Sequence, residues 1–365
     1  MSSVIAAASP DASSRPGIAP PATFTYLSGQ YDNLGDALLR RAFAHALGAD
    51  RRWHVYLGAA PDDYVAALEL PRDARTYRSL PRWLAAASAG MLRRGRSRFL
   101  ANPGEISSSL TEFALGGASA WLLMLGRLVG NPGFRLGVGA RDRARPASLG
   151  HELAVRLARV NAWRDETSRN LYGRGDVCPD WAFALSPEGA EHERRNLALA
   201  YRTDRPLPSD AVLHAVIEWS RERGLEPIAV SQTLRDRAGT ALLAQRLGVA
   251  HAGTEADDLT TLEREVRGIY QRSALVLGNR IHALIVGAVD GAAPAIVIGH
   301  PDVKIARTMR PAGLCLEDGV TADAPDAVGP YLESVYAHAD DDRRAVGAAG
   351  AALRCWAEAA GKTVA

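Results

Sequence analysis

Cysteine is scarce in this sequence of 365 residues. The three cysteines, Cys178, Cys315 and Cys355, lie far apart, are odd in number and never form a CxxC pair. This pattern excludes a disulfide framework and a cysteine-rich zinc site. It is typical of a reducing compartment, and we therefore expect a cytoplasmic protein.

An excess of one charge and long apolar runs are also missing. The 43 basic and 41 acidic residues leave a formal net charge of +2, which gives no general reason to expect nucleic acid as a partner. No run of 18 apolar residues, the length that suggests a membrane span, occurs. The most apolar segment, 118–129, is interrupted by Arg127. We interpret it as a buried helix rather than a membrane-contacting surface.

Several catalytic signatures are absent as well. The sequence has no HExxH or GxSxG motif, no dinucleotide or phosphate-loop fingerprint, and no carboxylate-rich metal cluster. We therefore predict neither a metal nor a resident cofactor. Residues 1–21, rich in Ala, Ser and Pro, lack the basic start and apolar centre of a signal peptide, and we predict a disordered tail.

What the sequence does contain is an alternation of β-prone and amphipathic runs from residue 23 onward. Such alternation predicts parallel sheets with right-handed crossovers, and so an α/β fold with two Rossmann-like, doubly wound domains facing a central cleft. Region 61–130 is harder to assign. The predicted strands are 23–27, 54–57, 134–139, 160–163, 196–202, 227–231, 274–277 and 295–298. The predicted helices are 34–47, 149–160, 165–173, 210–222, 238–247, 257–270, 280–289 and 340–362.

The polar segment 184–195, which contains Pro and Gly, is the candidate linker between the two halves. The division that follows is a tail (1–21), an N-terminal α/β domain (22–190), a C-terminal Rossmann-like domain (191–335) and a C-terminal helix (336–365).

Ligands of doubly wound folds bind at the carboxyl ends of the strands, and four motifs follow predicted strands. The first is the loop from Gly29 to Asp36. Asn33 caps the next helix with Asp36 reaching back, or these residues and Gly35 contact an anionic or sugar ligand; both readings stay open. In the second motif, Arg164 leaves a strand where an acidic helix start begins. It either pairs with a neighbouring acid or binds an anion in the cleft.

The third motif is Asn279-Arg280-Ile281-His282, between an apolar strand and a helix. With Asn279 as the helix cap, Arg280 and His282 fall in the first turn. Cations are disfavoured there by about 0.3–1 kcal/mol each unless an anion binds. The motif therefore predicts an anion site, with His282 as a proton carrier near neutral pH. In the fourth motif, which follows the next strand, Lys304 is a candidate phosphate ligand and His300 a neighbour of it, although a solvated turn explains the pattern equally well.

Together these motifs resemble the polysaccharide pyruvyl transferase family. The resemblance rests on Asn33-Leu34-Gly35-Asp36, on Arg164 to Ser168 with the later Pro179-Asp180, and on Arg280 to Leu284 with Pro294 and Lys304. It covers about residues 23–335. Its most specific part is the last motif. A glycine run that is frequent in the family is replaced here by Asn102-Pro103-Gly104-Glu105.

The resemblance implies a GT-B-like fold with an acceptor side in the N-terminal half and a donor side in the C-terminal half. It also implies phosphoenolpyruvate as donor and, as acceptor, a sugar hydroxyl pair of an exopolysaccharide, cell-surface glycan or lipid-linked saccharide. Phosphate is released and a pyruvate ketal is formed. Such an enzyme is expected in the cytoplasm or at the inner face of the membrane, beside a polysaccharide-assembly system.

In this scheme His282 transfers the proton, Arg164 and Arg280 hold carboxylate and phosphate, and Lys304 stabilises the departing phosphate. No metal is required. The main rival is a GT-B glycosyltransferase that uses a nucleotide-sugar. It would need base and ribose contacts in the C-terminal half, where the sequence shows no clear acidic ribose ligand. A second rival is a non-catalytic glycan-binding or scaffold protein.

Overall fold

The computed structural model describes residues 21–48, 51–106, 109–143, 148–187, 192–299, 303–316, 319–321 and 323–362. Apart from its last residue, the predicted tail lies outside these ranges. So does His300, and so do residues 188–191 of the predicted linker.

The first half of the chain forms one parallel sheet of eight strands in the order β3-β2-β1-β4-β6-β7-β8, with β5 paired to β6. Its strands are β1 (Ala22–Tyr26), β2 (Arg52–Tyr56), β3 (Arg75–Tyr77), β4 (Ser97–Leu100), β5 (Gly104–Ile106), β6 (Gly133–Ala140), β7 (Val160–Trp163) and β8 (Asp176–Val177). Its helices are α1 (Leu34–Ala46), α2 (Asp62–Ala67), α3 (Leu80–Met91), α4 (Leu110–Val129), α5 (Ser148–Leu157) and α6 (Glu166–Tyr172), followed by a 3-10 turn (Trp181–Ala184).

The second half repeats this plan with a parallel sheet in the order β11-β10-β9-β12-β13 and a separate parallel pair of strands, β14 and β15. Its strands are β9 (Asn196–Ala200), β10 (Glu226–Val230), β11 (Ala250–Ala252), β12 (Ser273–Gly278), β13 (Ala293–Ala295), β14 (Val297–Ile298) and β15 (Val320–Thr321). Its helices are α7 (Asp210–Glu222), α8 (Arg237–Leu247), α9 (Leu259–Tyr270), α10 (Ile281–Val289), α11 (Val303–Met309) and α12 (Pro325–Ala337), and the long helix α13 (Ala339–Lys362) follows.

Burial explains why these segments form strands. Every residue of β9 and β12 is buried, and so are residues 23–26 of β1, as expected for parallel strands covered by helices on both faces. Helix α9 shows the complementary pattern, because its buried residues Leu259, Leu262, Val266 and Tyr270 recur at helical spacing. The alternation of these two patterns underlies the α/β prediction.

The strand order has a functional consequence. In each half the chain first builds the sheet in one direction and then in the other, so the order reverses between β1 and β4 and again between β9 and β12. The crevice outside the carboxyl ends of such strands is where doubly wound folds bind ligands. Strand β5 continues the line of β4 along the carboxyl end of β6, which brings Glu105 opposite Gly139 at that edge.

The two halves contact each other through the loops at these edges. Leu234 N–H donates to the carbonyl of Asp32 over 2.9 Å, and Arg235 binds both oxygens of the Asp32 carboxylate at 2.6 Å. Arg41 of α1 and Glu263 of α9 form a buried ion pair. Helix α13 then returns from the second half onto the 3-10 turn and α1 of the first.

Three predictions about local structure need correction. Region 61–130 contains α2, α3, α4 and three strands of three or four residues, which are too short to show a period in the sequence. The predicted strand 295–298 is split between β13 and β14, because the N–H of Ile296 donates to the Tyr331 hydroxyl over 2.8 Å instead of continuing a ladder. The apolar helix spans Leu110–Val129, and one of its faces is exposed.

The boundary that we propose between the domains, at residues 190 and 191, lies outside the described residues. It falls between β8, the last strand of the first sheet, and β9, the first strand of the second.

Candidate active site

A cleft of about 550 Å³ lies between the carboxyl edges of the two sheets. The loop after β1, the segment around β5 and the end of β7 line it from the first half, and the ends of β9, β10 and β12 with α11 line it from the second. The structure brings seven of the predicted residues to this cleft. They are Asn33, Asp36, Arg164, Asn279, Arg280, His282 and Lys304.

The two other predicted residues have different positions. Gly35 lies in the first turn of α1 directly against His282, and a Cβ atom placed on it would come within 2.3 Å of the His282 Cβ. This close approach requires glycine. His300 is outside the described residues.

His282 is in the first turn of α10 and is 8% exposed. Its Nε2 atom lies 3.8 Å from Oδ2 of the fully buried Asp180, and neither atom has a hydrogen-bond partner. Burial by itself raises the pKa of Asp180, but contact with His282 and the charge of Arg164 lower it to about 2. The ionised carboxylate is thus placed to stabilise a protonated imidazole.

Arg164 leaves β7 where Asp165 caps α6, as the sequence predicts. Its guanidinium lies between two carboxylates, with Nη1 3.5 Å from Asp180 Oδ2 and Nη2 3.9 Å from Glu105 Oε1. Gly139 leaves room for it, since a Cβ there would come 2.8 Å from Nη2. The buried Nε and Nη2 atoms make no hydrogen bond, so the protein leaves the hydrogen-bonding capacity of Arg164 partly unused.

Glu105 is the centre of a cationic cluster that joins the halves. Its carboxylate contacts Lys304 at 2.7 Å, Arg307 at 3.1 Å and Arg141 at 3.2 Å. Burial raises the pKa of Glu105, but Lys304 and Arg164 lower it to about 2. Burial and the charge of Arg164 also lower the pKa of Lys304. The predicted phosphate ligand Lys304 is therefore at the cleft, with a carboxylate already bound to it.

The prediction for the start of α10 needs correction. Arg280, not Asn279, occupies the cap position, and the Asn279 side chain instead accepts from the N–H of Arg202 over 2.5 Å. Arg280 forms a buried ion pair with Asp236, and its Nη2 lies 3.4 Å from Thr233 Oγ1. Burial lowers the pKa of Arg280 from its usual value. Arg280 is thus held by one edge, while its Nε makes no hydrogen bond.

The loop before α1 has a structural role. Asn33 accepts from the N–H of Gly35 over 3.1 Å and caps the helix as predicted, whereas Asp36 accepts from the N–H of Gln30 rather than from the cap residue. Burial raises the pKa of Asp36, but Arg40 and His282 lower it below its usual value. Both side chains also line the cleft, so the two readings of this motif are compatible.

Three site residues were absent from the sequence-based selection. Asp180 was noticed only beside Pro179, and Glu105 only as part of a loop that departs from the family. Gln232 lies after β10, and the end of a predicted strand was the signal that could have found it. Its buried side chain accepts from the Tyr270 hydroxyl over 2.8 Å, while its Nε2 has no partner.

The arrangement as a whole is typical of a site for a polar, anionic ligand. Buried polar groups are nearly always hydrogen-bonded in folded proteins. Here Arg164, Gln232, Arg280 and His282 all line the cleft with a buried nitrogen that lacks a partner. Within the described ranges, no group of three or more His, Cys, Asp or Glu side chains is arranged to hold a metal ion.

Comparison with known proteins gives a fold but no family. No protein-family model matches the chain, and no curated protein matches it in sequence. Among solved structures, UDP-GlcNAc 2-epimerase from Neisseria meningitidis bound to UDP-GlcNAc is similar with a TM-score of 0.57 at 9% identity, over 94% of this chain and 99% of that one. A UDP-N-acetylglucosamine 2-epimerase described from Listeria monocytogenes gives 0.56 at 11% identity, over 90% and 91%.

A third similar structure is S. aureus MnaA with UDP, with a TM-score of 0.51 at 12% identity over 91% of each chain. These likenesses confirm the predicted fold class, two Rossmann-like domains in a GT-B-like arrangement. They contradict the identification as a polysaccharide pyruvyl transferase, because the similar structures are UDP-GlcNAc 2-epimerases and no pyruvyl transferase model matches. Pyruvyl transfer with phosphoenolpyruvate as donor and partner is therefore withdrawn as the function of the chain.

Proposed function

We propose that the protein is an enzyme that binds a nucleoside-diphosphate sugar in the interdomain cleft and breaks the bond between the anomeric carbon and the diphosphate. The observation that carries the proposal is that cleft-lining residues from both halves keep a buried nitrogen without a hydrogen-bond partner. The fold supports it, since structures of similar fold hold UDP or UDP-GlcNAc. Of the two alternatives to pyruvyl transfer, this is the nucleotide-sugar reading.

The start of α10 is the proposed diphosphate site. Free N–H groups and the helix dipole favour an anion there. Arg280 adds a guanidinium that Asp236 holds in position and whose Nε makes no hydrogen bond within the protein. A guanidinium stays charged at neutral pH even when burial lowers its pKa, because its ordinary value lies far above 7.

Bond cleavage at the anomeric carbon moves an electron pair onto the diphosphate oxygen. Arg280 and the start of α10 would stabilise the charge that develops on this leaving group. The sugar ring gains positive charge in the same step. The ionised carboxylate of Glu105 lines the cleft from the first half and would offset this charge, and the buried carboxylate of Asp180 lies behind His282.

His282 is the proposed proton carrier. When a hydroxyl attacks the anomeric carbon, its O–H bond breaks and the proton passes to the imidazole of His282 while the new C–O bond forms and the diphosphate leaves. Asp180 would then stabilise the imidazolium from 3.8 Å. Arg164, held between Asp180 and Glu105, would bind the substrate in the first half. We propose a glycan or lipid-linked saccharide as the source of the hydroxyl, and the scheme requires no metal or further cofactor.

The test is release of nucleoside diphosphate from a panel of UDP-, GDP- and dTDP-sugars, with and without glycan acceptors. We expect release with at least one donor, and a loss of about 100-fold or more in His282→Gln. The matched control is His214→Gln, because His214 is exposed on α7. Proton NMR of the products separates glycosyl transfer from epimerisation of the sugar.

Thermal shifts give an independent measure of binding. A ligand at 100 times its Kd stabilises the folded state by about 2.7 kcal/mol, so the matching donor should raise Tm by several degrees. Arg280→Gln should abolish the shift, while Arg264→Gln, at an exposed position of α9, should keep it. If no sugar nucleotide shifts Tm and none releases its diphosphate, the proposal is wrong and a non-catalytic glycan-binding role becomes the better explanation.

A further inference from the structure

One face of α4 carries a stripe of large apolar side chains that the described parts of the chain leave exposed. They recur three, four or seven to eight residues apart, so they share one helix face. Leu110 is 85% exposed and Leu128 is 73% exposed. We call these residues the α4 surface: Leu110, Phe113, Trp121, Met124 and Leu128.

The neighbouring helix extends this surface. Helix α5 packs against α4 and exposes Leu149 and Leu153, one helical turn apart. Several large apolar side chains exposed on two packed helices mark an interaction site, whereas single exposed apolar residues do not.

The packing of α4 fits contact with the surface of a membrane rather than a crossing through it. It is the one helix in the described ranges that is long and apolar enough, by length and composition, to cross a bilayer. Its opposite face is part of the core, however, since Leu115, Leu122 and Leu125 are buried. An amphipathic helix with one buried and one exposed apolar face can insert only its exposed side chains into a membrane surface.

The charge beside the α4 surface identifies its partner. Residues 74–104 contain seven arginines and no aspartate or glutamate, although Arg98 is buried and Arg78 pairs with Asp62. Arg93, Arg94 and Arg96 are exposed in the loop after α3. Asn131, just after α4, donates to the carbonyl of Arg93 over 2.9 Å, which fixes this basic loop at the carboxyl end of the helix.

Further charges on α4 and α5 have the same sign. Arg127 lies in the last turn of α4, and its guanidinium reaches the carbonyl of Arg156 over 3.5 Å. The acids of the two helices are already paired, Glu112 with His151 at 3.3 Å and Glu152 with Arg143 at 3.0 Å. An apolar stripe bordered by arginines, with an exposed tryptophan in it, matches the surface of a bilayer of anionic lipids.

We propose that the α4 surface and the arginines around it dock the protein on an anionic lipid bilayer. The residues that begin the helix, Ser109, Thr111 and Glu112, also line the cleft. Docking therefore brings one wall of the cleft to the level of the lipid headgroups, within reach of an acceptor attached to a lipid. This last step rests on the proposed function, whereas docking itself does not.

The experiment is flotation of the full chain with vesicles of phosphatidylcholine alone or with about one third phosphatidylglycerol. We expect the protein to float with the anionic vesicles and to be released as salt is raised. The variant Leu110→Ser/Trp121→Ser/Leu128→Ser should lose at least 10-fold in partitioning. The variant Arg93→Gln/Arg94→Gln should lose about fivefold per arginine.

Matched controls distinguish binding through the α4 surface from nonspecific adsorption and from the effects of misfolding. Leu242→Ser removes a leucine that is 66% exposed on α8 in the other half, and Arg264→Gln removes an exposed arginine there; both should float as the wild type does. Trp121 is the one tryptophan with a largely exposed side chain among the described residues, so brominated lipids should quench wild-type fluorescence and not that of Trp121→Phe.

Two results would overturn the proposal. One is a triple variant with an unchanged melting temperature that floats as well as the wild type. The other is a wild-type chain that binds to none of the vesicles but forms a dimer that the triple variant cannot form. The α4 surface would then be a contact between two copies of the chain. Because neither readout uses a sugar nucleotide, failure here leaves the proposed function untouched.

Discussion

Replacing Gly35 with alanine should displace His282, because α1 and α10 meet at this glycine. A Cβ atom on Gly35 would lie 2.3 Å from Cβ and 2.5 Å from Cγ of His282, whereas ordinary contacts begin at 3.4 Å. The two helix starts would have to separate by 1.1 Å, which is 3.4 minus 2.3 Å. Neither atom of His282 is at the flexible end of the side chain, so the backbone must move.

Two opposing contributions set the size of the effect. Alanine is favoured over glycine within a helix by up to about 1 kcal/mol. Forcing an extra methyl group into a packed contact costs about 1–3 kcal/mol. We therefore expect a net loss of about 1 kcal/mol in the free energy of unfolding. A shift of about 1 Å in a catalytic group can cost about 100-fold in rate, so turnover should fall far more than stability does.

The assay pairs urea unfolding with nucleoside-diphosphate release, and Gly347→Ala serves as the control. Gly347 is an exposed residue within α13, and a Cβ there would meet nothing within 4 Å. That variant should gain up to about 1 kcal/mol and keep full turnover. The contact argument is refuted if Gly35→Ala is stabilised as much as Gly347→Ala and retains wild-type turnover.

Three further predictions follow from buried charges. Folding lowers the pKa of Asp180 from an ordinary 3.8 to about 2, so its contribution of about 2 kcal/mol is present above pH 3.8 and is lost as pH falls towards 2. Urea titrations from pH 6 to 2 should show this loss in the wild type and a flatter profile in Asp180→Asn. Glu105→Gln removes a carboxylate bound to Lys304 and should tighten UDP binding about fivefold in calorimetry; weaker binding would contradict the assigned charge balance. Arg41→Met should cost about 3 kcal/mol by leaving Glu263 without its partner in the other half, and adding Glu263→Leu should restore most of it; equal melting temperatures for both variants would speak against a buried pair.

The predictions from the sequence were most accurate for residues whose interactions lie within a few positions along the chain. Asn33 caps α1 as predicted, because this interaction involves a residue two positions away, and the acidic helix start after Arg164 is also found. The position of His282 at a helix start after a buried strand follows from the same kind of pattern. Placing motifs after strands also brought seven predicted residues to one cleft, since the carboxyl ends of parallel strands meet at one edge.

What the sequence could not supply were the partners of these residues across the chain. Arg280 was predicted to bind an anionic ligand, and nothing in the sequence indicated its protein partner Asp236, which lies 44 positions away. The Glu105–Lys304 pair joins residues 199 positions apart. Such pairings depend on tertiary packing, and the periodicity of a short segment does not reveal them.

Motif resemblance failed for a related reason. Cationic side chains at a helix start indicate an anion-binding site. Carboxylate, phosphate and diphosphate groups can all accept hydrogen bonds from the same donors of Arg280 and His282. The pattern therefore located a site without naming its ligand. The overall fold depends on strand order rather than on a few side chains, and the structures similar to it are UDP-GlcNAc 2-epimerases.

The return of α13 to the first half determines how this molecule can move. The chain passes between the two halves once after the 3-10 turn and a second time where α12 ends and α13 begins. Buried Leu353 holds the second passage in place, and the Ala360 carbonyl is bound by Arg98 of β4 at 3.4 Å. The two halves are therefore joined by two separate connections of the chain. We expect the cleft to open and close about the line that joins these two connections, and we expect them to restrict twisting of one sheet against the other.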